Sequence, residues 1–260
     1  MKNKIYNENN IKTMEKIPDN HCHGIITSPP YNLGRNPNHR RKDQEDYNLY
    51  TDNVDNLTED EYLEVRTNEF KEFQRIVKED GVILYNMSYS KENPMLPLLL
   101  MNKIHNETDL TVADVITWKK NKANPFQTSP NKLTRISELI YVIVNKKHLH
   151  TFKANKEISK INEKTKQKFY KNYTNLIEAR NNDGVKSKNK ATFSTELVEQ
   201  LIHIYFPPKS IIYDPFMGIG TTAKGCLSKD CYFLGSELIK EFYEESKTNI
   251  KDYVGLLRKS

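Results

Sequence analysis

Ile211-Ile212-Tyr213-Asp214-Pro215-Phe216-Met217-Gly218-Ile219-Gly220-Thr221-Thr222-Ala223 is the stretch on which the fold turns. An apolar strand-like run enters a Gly-x-Gly turn and leaves it as a helix, the order that lets backbone approach a nucleotide-like ligand closely. Gly218, Gly220 and Ala223 also satisfy a loose dinucleotide fingerprint, so a nicotinamide oxidoreductase competes at this point. Glu237, after the run Tyr232-Phe233-Leu234-Gly235, can take ribose hydroxyls in either case. Neither the glycine spacing nor Glu237 chooses the cofactor.

Nearly two hundred residues earlier, Gly24-Ile25-Ile26 leads into Thr27-Ser28-Pro29-Pro30-Tyr31. Two consecutive prolines fix φ and remove two backbone donors, which frees carbonyls to face a ligand. A hydroxyl, exposed carbonyls and an aromatic face therefore meet at a strand end. Ser28 and the Pro29 carbonyl can accept from an amino group while Tyr31 stacks on the ring that bears it.

The rest of the chain alternates strand and helix signals, as an α/β fold with a largely parallel sheet requires. Lys4-Ile5-Tyr6 reads as a first strand, 11–17 as a helix and 24–27 as the second strand. Thr58 and Glu61 form a capping box for a helix whose apolar stripe runs through Tyr62, Val65, Phe70, Phe73, Ile76 and Val77, with Gly81 as its stop. The runs 82–85, 112–118 and 139–144 read as buried strands. Ser194 caps a helix that Pro207-Pro208 terminates.

With 260 residues and 37% hydrophobic content, the chain is long enough for one sizeable domain. No apolar run reaches a membrane span and the N-terminus lacks a signal-peptide core, so a cytoplasmic protein is expected. Cys22, Cys226 and Cys231 have neither disulfide nor zinc-ribbon spacing. His21-Cys22-His23 is too compressed to converge on a metal, and none is expected. Trp118 reads as core at a strand end, and His148 and His150 as surface residues. Charge is uneven: residues 146–190 hold twelve Lys and one Arg against four acidic residues, a net of +9 within an overall +6. Phe152, Phe169, Tyr170 and Tyr173 are interleaved there, as on a surface that grips phosphates and packs on sugars or bases. A second basic cluster spans 35–42, directly after the proline turn.

Asp-Pro-Phe-x-Gly-x-Gly-Thr-Thr taken together with Ser-Pro-Pro-Tyr resembles the S-adenosylmethionine-dependent amino-methyltransferases of DNA. The likeness covers most of the chain: Ile5–Asn7 with 17–20, Trp118-Lys119-Lys120-Asn121, Ser137-Glu138-Leu139-Ile140, Phe193–Leu197 and Gly235-Ser236-Glu237 are similar to further elements of that family. The catalytic motif precedes the glycine motif, which resembles the circularly permuted β-class. The resemblance implies a Rossmann-like methyltransferase sheet with helices on both faces. It divides the chain into a catalytic half (1–150), a basic target-recognition insertion (151–190) and a cofactor half (191–260). It also implies that S-adenosylmethionine is held by Asn9, Phe193, Ser194, Asp214, Pro215, Phe216, Gly218, Gly220, Thr221, Thr222 and Glu237, and that Ser28, Pro29, Pro30 and Tyr31 are catalytic. DNA contacts fall to Arg35, Arg40, Arg41, Lys164, Lys166, Lys168 and Lys171. One departure stands out: where the family carries Gly-Asp after the first strand, this chain has Glu8-Asn9.

The expected chemistry is methyl transfer to an exocyclic amino group of double-stranded DNA, on a base that has left the stack. Cytosine N4 is favoured over adenine N6, because Thr-Ser-Pro-Pro-Tyr resembles the cytosine-N4 form of the turn. Cytosine C5 is not expected, since no Pro-Cys nucleophile follows the cofactor motif. A release-factor-type glutamine methyltransferase carries its Pro-Pro-Tyr turn after the glycine motif, the opposite order. A catalytically inactive DNA-binding relative is the remaining rival. A homodimer and a cognate restriction endonuclease are the protein partners that the family suggests.

Overall fold

The computed structural model describes residues 1–32, 57–89, 93–121, 130, 133–184 and 193–258. The chain opens with β1 (Lys4–Tyr6), α1 (Asn10–Met14), β2 (Cys22–Thr27), α2 (Glu59–Ile76), β3 (Val77–Met87), α3 (Leu96–Glu107), β4 (Leu110–Lys120) and β5 (Ser137–Asn145). Three short strands follow, β6 (Ile158–Ile161), β7 (Lys168–Tyr170) and β8 (Leu176–Ala179). Then come α4 (Thr195–Tyr205), β9 (Ile211–Asp214), α5 (Thr221–Ser228), β10 (Tyr232–Ser236) and α6 (Lys240–Leu257).

Eight strands form one sheet in the order β1-β10-β9-β2-β3-β5-β4-β8. From β1 to β3 neighbouring strands run parallel; β5 is antiparallel to both of its neighbours, and β8 is parallel to β4. The two informative stretches meet at the middle, where β2 pairs with β9 through Gly24–Ile212 and Ile25–Tyr213. Connections leave in opposite directions from this pair, so a crevice opens at its C-terminal ends. The N-terminal strand β1 lies beyond β10, beside the C-terminal half of the chain, as a permuted order requires.

Both faces of the sheet are covered, and the side chains divide with the period of two that strands impose. Ile25, Ile83, Tyr85 and Tyr213 join Met14, Tyr62, Phe70, Phe73 and Leu100 of α1–α3 in one core. Ile26, Leu84, Val142 and Ile212 join Leu197, Val198, Leu201, Ala223 and Cys226 of α4 and α5 in the other. Trp118 is core, 2% exposed, with its indole N–H on the Ala179 carbonyl at 3.3 Å.

The helix boundaries carry two corrections. The α2 capping box forms as expected, with Thr58 accepting from the Glu61 N–H and Glu61 accepting from Thr58. Gly81, however, is not its stop: the helix ends at Ile76, and Val77, already extended, enters β3 directly, so Gly81 lies inside a strand. Pairing of Cys22 with Val77 claims that residue for the sheet. α1 is shorter than 11–17, closing in i→i+3 bonds from Lys16 and Ile17. Ser194 caps α4, accepting from the Leu197 N–H at 3.3 Å.

Within 151–190, Leu176–Ala179 is the edge strand β8 of the main sheet, whereas β6 and β7 form a separate, wholly exposed hairpin. Phe152 stacks on Tyr205 and Tyr173 hydrogen-bonds His203, so these two aromatics serve packing on α4. Phe169 and Tyr170 remain exposed. Among the described residues, no helix is long and apolar enough to cross a membrane and no His/Cys/Asp/Glu group could hold a metal. The three cysteines are free and buried.

Candidate active site

The glycine loop is built by backbone conformation. Gly218 has φ +53° and Gly220, the residue before α5, has φ +90°, where a side chain is strained. The turn is then clamped from β10: Glu237 Oε2 accepts from the Gly218 N–H and Oε1 from the Ile239 N–H, both at 2.8 Å. Glu237 is buried, and desolvation pushes its carboxyl up to about 7 against the pull of those backbone donors. Each of its oxygens keeps a further lone pair. Asn7, just after β1, donates to the Glu237 carbonyl, which ties the three strand ends together.

Asp214 is bound from both sides of the loop. It is 1% exposed, and its Oδ1 accepts from Thr27 Oγ1 at 2.7 Å and from the Phe216 N–H at 3.0 Å. Its Oδ2 accepts from Thr222 Oγ1 at 2.5 Å. One carboxylate thus fastens the residue before Ser28 to both sides of the glycine loop. Desolvation raises its pKa to about 6. Thr222 and Asp214 are brace residues, while Gly218, Gly220, Phe216 and Glu237 line the turn they brace; Pro215 and Thr221 are buried within it. Phe216 is half-buried, with the Arg66 guanidinium 5.1 Å from its ring centre.

The Ser28–Tyr31 turn is held by side chains from three other strands and a helix. Ser28 Oγ lies 2.6 Å from the Tyr31 hydroxyl, and that hydroxyl donates to Glu138 Oε2 of β5 at 3.2 Å. Asn86 of β3 donates through Nδ2 to the Tyr31 oxygen at 2.7 Å and to Glu138 Oε2 at 2.8 Å. Lys120 of β4 forms an ion pair with Glu138 Oε1. Tyr62 of α2 donates to the Pro30 carbonyl at 2.8 Å, and Asn86 Nδ2 donates to Ser28 Oγ at 3.4 Å. Burial first, and the Glu138 carboxylate second, push the Tyr31 phenol well above its ordinary value, so it keeps its proton. The Asn86 Oδ1 is buried with no hydrogen bond.

Other expected site residues stand apart from this cluster of contacts. Asn9 caps α1 by accepting from the Ile11 N–H, and Glu8 is bound by Lys16 and Thr13. Ser194 is buried as a helix cap, and Phe193 packs partly buried on the α4–α5 core. Lys164 and Lys166 sit on the β6–β7 turn and Lys168 on β7, all exposed; Lys171 is engaged by Glu157. Arg35, Arg40 and Arg41 lie outside the described residues. Asn86, Glu138, Lys120, Tyr62 and Arg66 are not among the site residues expected from sequence. Glu138 and Lys120 lie in stretches that resemble family elements, and Tyr62 and Arg66 are spaced i, i+4 on the inner face of α2.

Residues 22–248 match the family model for N6/N4 methyltransferases described as DNA methylase. The type II methyltransferase M.BglII of Bacillus subtilis is 24% identical over 268 residues, covering 93% of this chain and 67% of that protein. Among solved structures, PvuII DNA methyltransferase (cytosine-N4-specific) superposes with a TM-score of 0.72 at 17% identity, covering 97% of this chain and 91% of that one. The M1.HpyAVI–SAM complex gives 0.61 at 22% identity, over 95% and 98% of the two chains. Those structural likenesses establish the fold, and the family match over most of the chain establishes the rest: this protein belongs to the N6/N4 DNA methylase family.

Proposed function

We propose that the protein methylates the exocyclic amino group of a base flipped out of double-stranded DNA, cytosine N4 in preference to adenine N6, with Ser28, Pro29, Pro30 and Tyr31 as its catalytic turn. The observation that carries this reading is the junction of the two motifs through Asp214, which sets the Ser28 turn against the glycine loop at the β2–β9 crevice. S-adenosylmethionine fits that loop: two glycines at positive φ admit close backbone approach, and Glu237 keeps lone pairs for ribose hydroxyls. When bound, it supplies an electrophilic methyl group.

The chain's own part is to make a poor nucleophile react. The amino lone pair of cytosine or adenine is delocalised into the ring. Hydrogen bonds from the amino group to Ser28 Oγ and the Pro29 carbonyl favour a pyramidal nitrogen, whose lone pair then points away from the ring plane. Stacking on Tyr31 holds the ring, while the Tyr31 hydroxyl is anchored by Asn86 and Glu138. The exposed β6–β7 hairpin with Lys164, Lys166 and Lys168 supplies phosphate contacts, since a two-stranded ribbon fits the major groove.

The serine turn and the likeness to a protein named as cytosine-N4-specific support cytosine over adenine. Likeness to a type II methyltransferase supports a cognate restriction endonuclease as companion. Digesting DNA methylated by the protein to nucleosides and weighing the products tests the reading. N4-methylcytosine is expected; N6-methyladenine alone overturns the base preference, and no methylated base at all favours an inactive DNA-binding relative.

A further inference from the structure

The hydrogen bonds around the catalytic turn have a direction. The Tyr31 hydroxyl has one proton, and it donates that proton to Glu138 Oε2. Its oxygen is then an acceptor for Ser28 at 2.6 Å, so the Ser28 proton points at Tyr31 and away from the crevice. Asn86 Nδ2 reinforces this polarity by donating to the Tyr31 oxygen and Glu138 and, at 3.4 Å, to Ser28 Oγ, which is thereby held as an acceptor. Lys120 balances the carboxylate at its other oxygen, and both members of that pair are mostly shielded, with side-chain exposures of 23% and 14%. The row Ser28–Tyr31–Glu138–Lys120 therefore starts at the turn and ends on a neutralised carboxylate at the partly open side of β4 and β5.

Resting on the assignment of Ser28 as the acceptor of the target amino group, we infer that Glu138 is the positioning and proton-accepting end of a relay that runs through Tyr31. Methylation leaves a proton to remove. As the nitrogen–carbon bond forms, the methyl–sulfur bond breaks with its electron pair staying on sulfur, and the nitrogen is left positive. That nitrogen passes a proton to Ser28 Oγ, Ser28 passes its own to the Tyr31 oxygen, and Tyr31 passes its own to Glu138 Oε2. The carboxylate becomes a neutral acid, and the base becomes a neutral methylamine. Before reaction the same polarity leaves Ser28 Oγ only lone pairs to show the amino group, which is what an acceptor there requires.

The test is single-turnover methylation by the full chain, with Ser28→Ala, Glu138→Gln and Glu138→Ala variants, each checked for a parental melting temperature. Removal of a positioned proton acceptor is expected to lower the rate about 10²-fold in both Glu138 variants. DNA and S-adenosylmethionine affinities should stay parental by calorimetry. Formate, which fits the space of the deleted carboxylate, should restore Glu138→Ala by about tenfold and leave Glu138→Gln unchanged, a rescue that a purely structural brace does not show. A parental rate in Glu138→Gln, or a slow Glu138→Ala that formate does not rescue, overturns the relay while a slow Ser28→Ala leaves the catalytic turn standing. A parental rate in Ser28→Ala overturns the turn itself, and the relay with it.

Discussion

The glycine loop and the proline turn face one crevice from adjacent strands, yet they are held in opposite ways. The loop is fixed by backbone: two positive-φ glycines, two backbone N–H groups on Glu237, and hydrogen bonds drawn almost wholly from residues 214–239. The turn is fixed by side chains that arrive from α2, β3, β4 and β5, with Glu138 lying 107 residues from Tyr31. Asp214, 187 residues from Thr27, joins the two. A backbone-built site suits binding, because its shape survives many side-chain changes. A site built from converging polar side chains suits chemistry, because hydrogen-bond polarity and charge can be set there.

The sharpest break in that contrast comes from the loop. Gly220→Val places a β-branched residue at φ +90° and its Cβ 3.3 Å from Ile250 and Ser246. Strain and overpacking together should cost about 2–4 kcal/mol and remove S-adenosylmethionine binding. Urea unfolding and calorimetry read the two effects; a parental midpoint would show that the loop does not need its left-handed residue.

The brace between the regions gives a pH signature next in size. Asp214 and Glu237 have pKa values raised to about 6 and about 7, above those of the unfolded chain. Below the unfolded values both states are protonated. As pH rises from about 4 to about 7 the unfolded carboxyls ionise first, so the native state binds more protons and stability falls, by a few kcal/mol on an order-of-magnitude scale. Asp214→Asn keeps an oxygen for Thr27 and the Phe216 N–H and should flatten this fall. A stability that instead rises over the same interval, measured by urea melts at each pH, would contradict the burial of these carboxylates as ionisable groups.

The smallest effect belongs to the hairpin, which forms a sheet of its own. Replacing Lys164, Lys166, Lys168 and Lys171 by Gln should reduce the slope of log affinity against log salt by about 0.9 for each phosphate that is no longer neutralised. Lys171, already paired with Glu157, should contribute least. An unchanged slope in filter binding would remove the hairpin from the DNA interface.

The same contrast explains what is legible in the sequence. Signals confined to a dozen residues carry through to the structure: the strand–glycine–helix order at 211–223, the Thr58–Glu61 box and the Ser194 cap. Gly81 misleads because β pairing of Val77 overrides local helix chemistry. Asp214 reads as a ligand residue in its motif, and only the fold shows that it also accepts from Thr27, the Phe216 N–H and Thr222. Glu138, Lys120 and Asn86 cannot be assembled from sequence: the first two lie in stretches that resemble family elements, but nothing local to any of the three strands says that they meet. Their convergence depends on β5 running antiparallel between β3 and β4, a pairing that no short window contains.

The division of labour between loop and turn is tested most directly by one paired measurement: S-adenosylmethionine affinity by calorimetry and single-turnover methylation rate, each on Ser28→Ala and Gly218→Val. Ser28→Ala should hold the cofactor like the parent while its rate falls about 10²-fold or more, as removal of one positioned acceptor does. Gly218→Val should lower cofactor affinity by about tenfold or more through strain at φ +53°. A Ser28→Ala variant that turns over like the parent, or a Gly218→Val variant that binds the cofactor like the parent, would contradict the account.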